Sequence, residues 1–366
     1  MELKDRLARR RAALSPEQRA EVAARLRGEA PPDPARRPIP RRRERAPAPL
    51  SFAQQRLWFL DQLFPGNPFH GELVAFRVRG PLRPALLAAS LRALGARHEA
   101  LRTSFPVVAG HPVQEVAAAP AVALATADLA ALPRGSQQDQ ITRLSRDLAG
   151  RAYDLARGPL LRALLVRRGA EEHVFLLGLH QIVADGWAHG VLLRDLAALY
   201  DAAERRRAPA LPPLAIQVAD FAVWQREQLA GEALAGHLAY WRRQLAGLPP
   251  LALPADRPRP ETPSFRGGNV SSSLSAALSA AALALGRGAG ATPFMTLLAA
   301  FQALLCRAGG EAEVAVGAPV ANRGRPELAP LVGFFANTLV LRADLSDRPS
   351  FRQLLGRVRE TVLAAF

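Results

Sequence analysis

The segment LHQIVADGW, residues 179–187, contains the side chains best suited to chemistry. His180 ends an apolar run, Gln181 follows it, and Asp185 and Gly186 come shortly after. An imidazole can take up and return a proton near neutral pH, whereas an amide side chain accepts a hydrogen bond but takes up no proton there. The segment therefore has the form of a catalytic loop in which one residue has been exchanged for a non-basic one.

Two strands and a helix are predicted to position this loop. The sequences LLRALLVRRG (160–169) and EHVFLLGLH (172–180) indicate neighbouring strands, and WAHGVLLRDLAALYDAA (187–203) has the apolar spacing of a helix. A side chain at the end of a buried strand, just before a helix, is well placed to face a cleft. His180 has that position.

The same patterns extend along the chain. Earlier segments predict a helix over 51–63, a strand over 71–80 and a helix over 84–105. After Pro-rich connections at 203–213 and 248–263, the pattern predicts helices at 276–286, 292–307 and 350–365 and strands at 313–320 and 337–345. Strands alternate with helices in both parts, which predicts two α/β lobes.

Composition limits the class of protein. The chain has 366 residues, of which 49% are hydrophobic, enough to fill a sizeable core. Its formal charge is +16. Residues 1–45 contain 14 basic and 7 acidic residues, and the basic residues are densest in the run RRRER at 41–45. Helices are predicted over 3–28. This part is either a basic arm or, as we favour, a solvated linker. No aromatic residue interleaves these arginines, so nucleic acid is not an expected partner.

Cysteine and hydropathy patterns indicate the compartment. Cys306 is the single cysteine, which excludes an internal disulfide and a cysteine zinc site, so we expect reducing cytoplasm and no metal. The apolar segments fall short of the roughly 20 residues that a membrane span needs, and the N-terminus lacks a signal-like apolar region.

Five motifs in order resemble the condensation domains of nonribosomal peptide synthetases, in the chloramphenicol-acetyltransferase-like superfamily. They are SFAQQRLWFL (51–60), RHEALRTSF (97–105), HQIVADGW (180–187, resembling HHxxxDG), VADFAVW (218–224) and VGFFANTLVLR (332–342). The resemblance implies an α/β fold with two chloramphenicol-acetyltransferase-like lobes that form a pseudo-dimer around a central tunnel. It divides the chain into an arm (1–46), an N-lobe (47–205) and a C-lobe (206–366).

The resemblance also implies an activity and its partners. Carrier-protein domains deliver a donor thioester and an aminoacyl acceptor on phosphopantetheine, no cofactor binds the domain directly, and the acceptor amine attacks the thioester to form an amide. The later motifs HQDxPFE and RDxSRxPL have no counterpart before Phe366. We therefore expect an incomplete second lobe with exposed apolar surface, in a fragment of a larger cytoplasmic synthetase.

Residue roles follow from the same resemblance. The residues expected at the catalytic centre are His180, Gln181, Asp185 and Gly186. His180 is expected to be structural, and Asp185 is expected to pair with an arginine. The Gly186 N–H is expected either to face a developing oxyanion or only to form a turn. Trp187 and Asn337 are expected to line the tunnel, although Asn337 fits the role of a strand cap equally well. The structural residues are Arg97, Arg102 and Trp224. Arg102 is the predicted partner of Asp185.

Gln181 occupies the position of the family's catalytic histidine. General base catalysis contributes roughly 10²–10⁴ in rate, whereas positioning two tethered reactants contributes effective molarities of roughly 10⁵–10⁸ M. Residual condensation is therefore compatible with Gln181, at a rate lower by two or more orders of magnitude. His189 is expected to project from the first turn of the following helix, away from Gln181, and so not to compensate. His70 is expected to lie in a loop, and His98 is expected to be structural.

Three functions remain open from the sequence. The first is an impaired condensation domain. The second is a non-catalytic scaffold that binds carrier proteins, which Gln181 favours. The third is a relative that forms esters or uses acyl-coenzyme A, against which the segments VADFAVW and VGFFANTL argue.

Overall fold

A computed structural model describes residues 38–43, 46–248, 250–258, 260–261 and 267–366. The helices predicted over 3–28 lie outside the described residues. Of the predicted linker, Arg42 is not a freely solvated side chain, because its backbone N–H and its Nε both donate to Asp220 Oδ1, at 3.1 and 3.0 Å. The basic run is thus joined to the domain through at least this residue.

The first lobe is built around a four-stranded sheet. Its strands are β2 (Gly71–Arg79), β6 (Leu124–Asp128), β7 (Leu161–Arg167) and β8 (Glu172–His180), in the order β2-β8-β7-β6. β8 is antiparallel to both neighbours, and β6 runs parallel to β7. Because β8 lies in the middle and is buried along nearly its whole length, its final residue is held from both sides.

Register places the site residues at one end of this sheet. His180 pairs with Gly71 and Leu179 pairs with Glu72 across β8 and β2. A short 3-10 turn (Gln181–Val183) follows β8, and helix α4 (Gly186–Glu204) begins after it. The predicted strand, loop and helix are therefore present in the predicted order.

The other helices of the first lobe are α1 (Phe52–Leu63), α2 (Pro84–Arg97) and α3 (Arg134–Ala149). α1 begins at a capping box in which Ser51 and Gln54 bind each other's backbone N–H groups. α2 ends eight residues before the predicted limit of 105, and a 3-10 turn (Glu99–Arg102) replaces its last part. The short strands β1 (Ala48–Pro49), β3 (Thr103–Ser104) and β4 (Val107–Val108) flank β5 (His111–Val116) in a second sheet.

The part of the chain after α4 forms helices α5 to α9 and one antiparallel pair of strands. The helices are α5 (Val218–Gln228), α6 (Gly231–Leu245), α7 (Ala276–Gly288), α8 (Pro293–Gly309) and α9 (Phe351–Ala365). Strand β9 (Glu313–Val320) pairs antiparallel with β10 (Asn337–Asp344), and a 3-10 turn (Pro326–Leu328) lies between them. All five predicted elements after residue 275 are present, with their ends shifted by at most two residues.

Buried side chains connect distant parts of the chain. One hydrophobic cluster contains Leu50 and Leu57 from the start of the first lobe together with Ile216, Phe221 and Phe335. Another lies under α9 and is built from residues after 290, including Leu341 and Leu355. The division predicted at residues 205 and 206 stays a prediction, and α5 packs with residues on both sides of it.

Two further features concern the surface. Among the helices of the described ranges, none alone is long and apolar enough to cross a membrane; α7 and α8 meet that length and composition only together, with a bend of 106° between them. Phe294, Leu297 and Phe301 on α8 are about half exposed beside β9 and line a shallow apolar cavity of about 280 Å³.

Candidate active site

His180 is enclosed at the end of β8. Its ring meets those of Tyr153 and His70 edge-on, with centroids 5.7 and 6.0 Å away, and only 4% of the residue is exposed. Its Nδ1 accepts the Ile182 N–H at 3.1 Å, so the neutral ring carries its proton on Nε2. Burial, helped by the nearby His70, lowers the pKa of His180 to about 3, so the ring stays neutral at pH 7.

A small residue on β8 makes room for Tyr153. A Cβ at Gly178 would stand 2.9 Å from the Tyr153 hydroxyl oxygen. The Arg162 guanidinium lies 3.9 Å from the centre of the Tyr153 ring, on its face. These contacts fix the wall against which His180 packs.

Gln181 faces a different environment, with both ends of its amide engaged. Its Nε2 donates to Glu72 Oε1 at 2.8 Å, and its Oε1 lies 3.2 Å from His70 Nδ1. Because a carboxylate can only accept, the amide nitrogen must face Glu72, and His70 then donates from Nδ1. The Gln181 backbone N–H also donates to the His70 carbonyl oxygen at 2.8 Å.

Glu72 brings a third histidine into contact with this group. Its Oε2 lies 3.0 Å from His189 Nε2, on the first turn of α4, so one carboxylate contacts both Gln181 and His189. Burial alone would raise the pKa of Glu72, but the contacts from His189 and Gln181 outweigh it and hold the pKa below its ordinary value. The expectation that His189 points away from Gln181 is therefore wrong: its ring turns toward the carboxylate that Gln181 binds.

Asp185 fixes the far side of the loop. Its Oδ1 accepts the Ala188 N–H at 2.9 Å, which caps α4, and it pairs with Arg323 Nη2 at 3.0 Å. Its Oδ2 accepts the Phe335 N–H at 3.1 Å. Both charged side chains are almost fully buried, so the loop is tied to the segments that precede and follow the turn at 326–328.

The predicted partner of Asp185 was wrong. Arg102 instead contacts Glu99, with Nη2 3.6 Å from Oε1, and donates to the Ala117 carbonyl. Arg323 is the partner, and its Nη1 also donates to the Leu328 and Leu331 carbonyl oxygens, at 2.6 and 2.9 Å. Arg323 lies in the loop after β9, and no sequence motif indicated that it would pair with Asp185.

The other predicted residues are distributed around the loop. Arg97 Nε pairs with the buried Asp195 at 2.9 Å, and the ring of Trp224 packs near Phe221 with Arg325 over its face. Trp187 is 51% exposed and donates from its indole N–H to the Ala329 carbonyl oxygen at 3.0 Å. Two residues are placed without such contacts: Gly186, exposed with open space where a Cβ would stand, and Asn337, exposed at the first position of β10.

Two cavities reach this region. One, of about 380 Å³, is bounded by α1 and the segment 153–156, so it touches Tyr153, which packs on His180. The other, of about 560 Å³, lies along the start of α4, between Trp187 and Pro330. In the described part of the chain no group of three or more His, Cys, Asp and Glu side chains is arranged to hold a metal ion.

The fold and this loop define the class of protein, and comparisons with known proteins agree. The family model of the Condensation domain matches residues 44–366, and the chain belongs to that family. It is 47% identical over 358 residues to phosphinothricin tripeptide synthetase PhsC of Streptomyces viridochromogenes and 48% identical over 319 residues to a linear gramicidin synthase of Brevibacillus parabrevis. These matches cover 97% and 87% of this chain but only 33% and 6% of the two synthetases.

A solved structure gives the same result. The X-domain from teicoplanin biosynthesis, determined in complex with OxyB, is 33% identical, with a TM-score of 0.81 over 90% of this chain and 72% of that one. The predicted family and its mixed α/β chloramphenicol-acetyltransferase-like fold are thus confirmed.

Proposed function

We propose that this condensation domain joins a donor thioester and an acceptor amine, both held on carrier-protein phosphopantetheine arms, into an amide. The observation that carries the proposal is the loop at the end of β8. It keeps the family's fold, its aspartate is anchored by Arg323, and residue 181 lies among polar groups rather than in the core. The partners are carrier domains of a multidomain synthetase, as the sizes of the matched synthetases suggest.

The two cavities support an approach of two substrates. The cavity beside α1 ends at Tyr153, which packs on His180, and the cavity beside α4 is bounded by Gly186 and Trp187 of the loop itself. Trp187 and Asn337 are proposed to line the substrate passage. Arms entering by separate routes would bring both reactive ends to the tip of β8 with high effective concentration.

Gln181 is proposed to slow the reaction without abolishing it. Once the amine has attacked the thioester, a proton must leave its nitrogen, and an amide side chain cannot take it. Loss of a general base costs roughly 10²–10⁴ in rate when nothing replaces it. Positioning by the carrier arms does not depend on a proton acceptor at residue 181, so that contribution is kept.

The test is transfer between loaded carriers. Donor and acceptor carriers, charged with aminoacyl groups, are mixed with wild-type protein or Gln181→His, and the masses on their phosphopantetheine arms are followed. We expect slow product with wild type and at least about tenfold faster product with Gln181→His. Absence of product from both proteins with every carrier pair, while the carriers still bind, would contradict the proposal.

That contrary result would support a second function, a carrier-binding scaffold without chemistry. One specific observation favours it: the structurally similar X-domain was solved in complex with another protein, OxyB. For this chain the scaffold role predicts carrier binding that neither Gln181→His nor any other change at the loop converts into product.

A further inference from the structure

The carboxylate of Glu72 is shared between Gln181 and His189. Glu72 is the second residue of β2, opposite Leu179, so its side chain stands next to the end of β8. One oxygen accepts from Gln181 Nε2 at 2.8 Å, and the other lies 3.0 Å from His189 Nε2. The side chains of Glu72 and His189 are 28% and 24% exposed, although the two facing atoms, Glu72 Oε2 and His189 Nε2, are themselves buried.

Exposure and hydrogen bonding favour a working imidazole at His189 over the other two. His180 is buried and stays neutral with its Nδ1 occupied, and His70 is buried, with 8% of the residue exposed. His189 instead faces the Glu72 carboxylate through Nε2, which orients its ring and leaves Nδ1 as the nitrogen that can take a proton. The titratable side chains that act on Glu72 are His189 and His180, and His70 lies beside His180.

We propose that His189, oriented by Glu72, is the base that accepts the proton which Gln181 cannot take. The inference deepens the proposed amide formation and rests on it. Gln181 then acts as a positioning residue, since its amide donates to Glu72 Oε1 while Glu72 Oε2 lies 3.0 Å from His189 Nε2.

The step balances without any further reactant. The acceptor nitrogen forms a bond to the thioester carbonyl carbon, and its surplus proton passes to the His189 imidazole. The tetrahedral adduct collapses as the carbon–sulfur bond breaks, and the imidazolium returns the proton to the departing thiolate sulfur. The products are the amide, the free phosphopantetheine thiol and neutral His189.

The proposal predicts that the rate of amide formation with glutamine at residue 181 falls by less than the full cost of a missing base. His189 reaches the site from α4, one turn beyond Asp185, so it is less well placed than a residue at position 181. We expect it to recover a part of the roughly 10²–10⁴ that a general base contributes.

The test compares single-turnover rates of four proteins between pH 6 and 9: wild type, His189→Gln, Gln181→His and the double variant. Loaded carriers are the substrates. His189→Gln is expected to lower the wild-type rate at least about tenfold and to remove the part of the pH dependence that an imidazole base imposes. In the Gln181→His background the same change is expected to alter the rate less than about twofold, because residue 181 then supplies the base.

A matched control and a second measurement separate chemistry from folding. His237→Gln, an exposed histidine on α6, should leave rate and pH profile unchanged. Glu72→Gln removes the carboxylate that faces His189 Nε2, and we expect it to lower the wild-type rate at least about tenfold while circular dichroism shows an unchanged fold. An unchanged rate would overturn the orienting role of Glu72.

The outcomes distinguish this inference from the proposed function. Equal losses on His189→Gln in both backgrounds would make His189 structural and overturn the inference. Product from Gln181→His but none from wild type would also overturn it, while amide formation as the family's reaction here would stand. No product from any of the four proteins would overturn both.

Discussion

His180 and Gln181 are neighbours in the chain but face different surroundings. His180 is enclosed by Tyr153 and His70 and stays neutral, whereas Gln181 joins a polar group with Glu72. The first position of the motif thus shapes the end of β8, and the second joins a partly exposed polar group. A change at residue 181 is therefore expected to disturb the packing at the end of β8 less than a change at residue 180.

The buried neutral histidine predicts how stability depends on pH. The pKa of His180 is about 3 in the folded protein and roughly 6.5 in an unfolded chain. Between these values the unfolded chain binds more protons, so stability is complete above about pH 6.5 and falls as pH decreases toward 3. From pH 7 to pH 5 this group should cost about 2 kcal/mol.

Denaturant unfolding of wild type and His180→Asn at both pH values checks this prediction. The variant lacks the ionisable ring, so its loss of stability on acidification should be smaller by about that amount. His98, whose pKa is also lowered, chiefly by burial, contributes equally to both proteins and cancels in the comparison. Equal losses in the two proteins would contradict the account.

The sequence predicted the strand, turn and helix around the HQIVADG loop but not the side-chain contacts of the loop. Motif spacing identified His180, Gln181 and Asp185, because these positions lie next to each other in the chain. Glu72 and His189 were not predicted to meet, since their contact depends on the register of β2 against β8 and on the first turn of α4. The sequence around a single Glu in a strand does not indicate which side chain the Glu will contact.

At the scale of elements, Asp185 ties α4 to the second half of the chain. The same carboxylate caps the helix, pairs with Arg323 and accepts the Phe335 N–H. Since the pair is almost completely buried, its two charges depend on each other and on the surrounding backbone groups. The loop is thereby held in one position.

Removing one partner of this pair should be costly. Arg323→Met leaves the Asp185 carboxylate buried without its counter-charge, and we expect a loss of about 3–5 kcal/mol in the free energy of unfolding. The double variant with Asp185→Asn should lose less than the sum of the two single changes. Denaturant unfolding measures all three.

Arg167→Met is the matched control. Its partner Asp128 lies 2.8 Å away, but both side chains are about half exposed. Exposed pairs add little to stability, so this change should leave the unfolding midpoint unchanged. If Arg323→Met shifted the midpoint no more than Arg167→Met, the anchoring role of Arg323 would be wrong.

Periodicity predicted most elements near the site and failed where tertiary contacts decide. The predicted helix at 84–105 ends at Arg97, and the next residue, the buried His98, has extended backbone and lies with its Nε2 2.9 Å from Asp195 Oδ2. α3 was not predicted, although Ile141, Leu144 and Leu148 have helical spacing within its polar sequence. Arg323 lies 138 residues from Asp185 in a loop, where neither spacing nor composition marks a partner.

At the scale of the whole molecule, the site lies where early and late parts of the chain meet. The cluster around Phe335 joins Leu50 from the N-terminal side with Leu328 and Phe334 from the C-terminal side. The HQIVADG loop touches this junction through Asp185 and Ile182. Fold class and family could be predicted from the motifs, because they are spread along the whole length. The path of the substrates could not, since it depends on how distant segments face one another.

The position of the acceptor amine tests the central claim most directly. A crystal structure of the domain with a carrier protein whose phosphopantetheine bears a stable aminoacyl amide would locate that nitrogen. We predict it at the tip of β8, within hydrogen-bond reach, roughly 2.6–3.2 Å directly or through one water, of the Glu72–His189 pair or of Gln181. An amine bound at another face of the molecule, with the tip of β8 facing no substrate, would contradict the account.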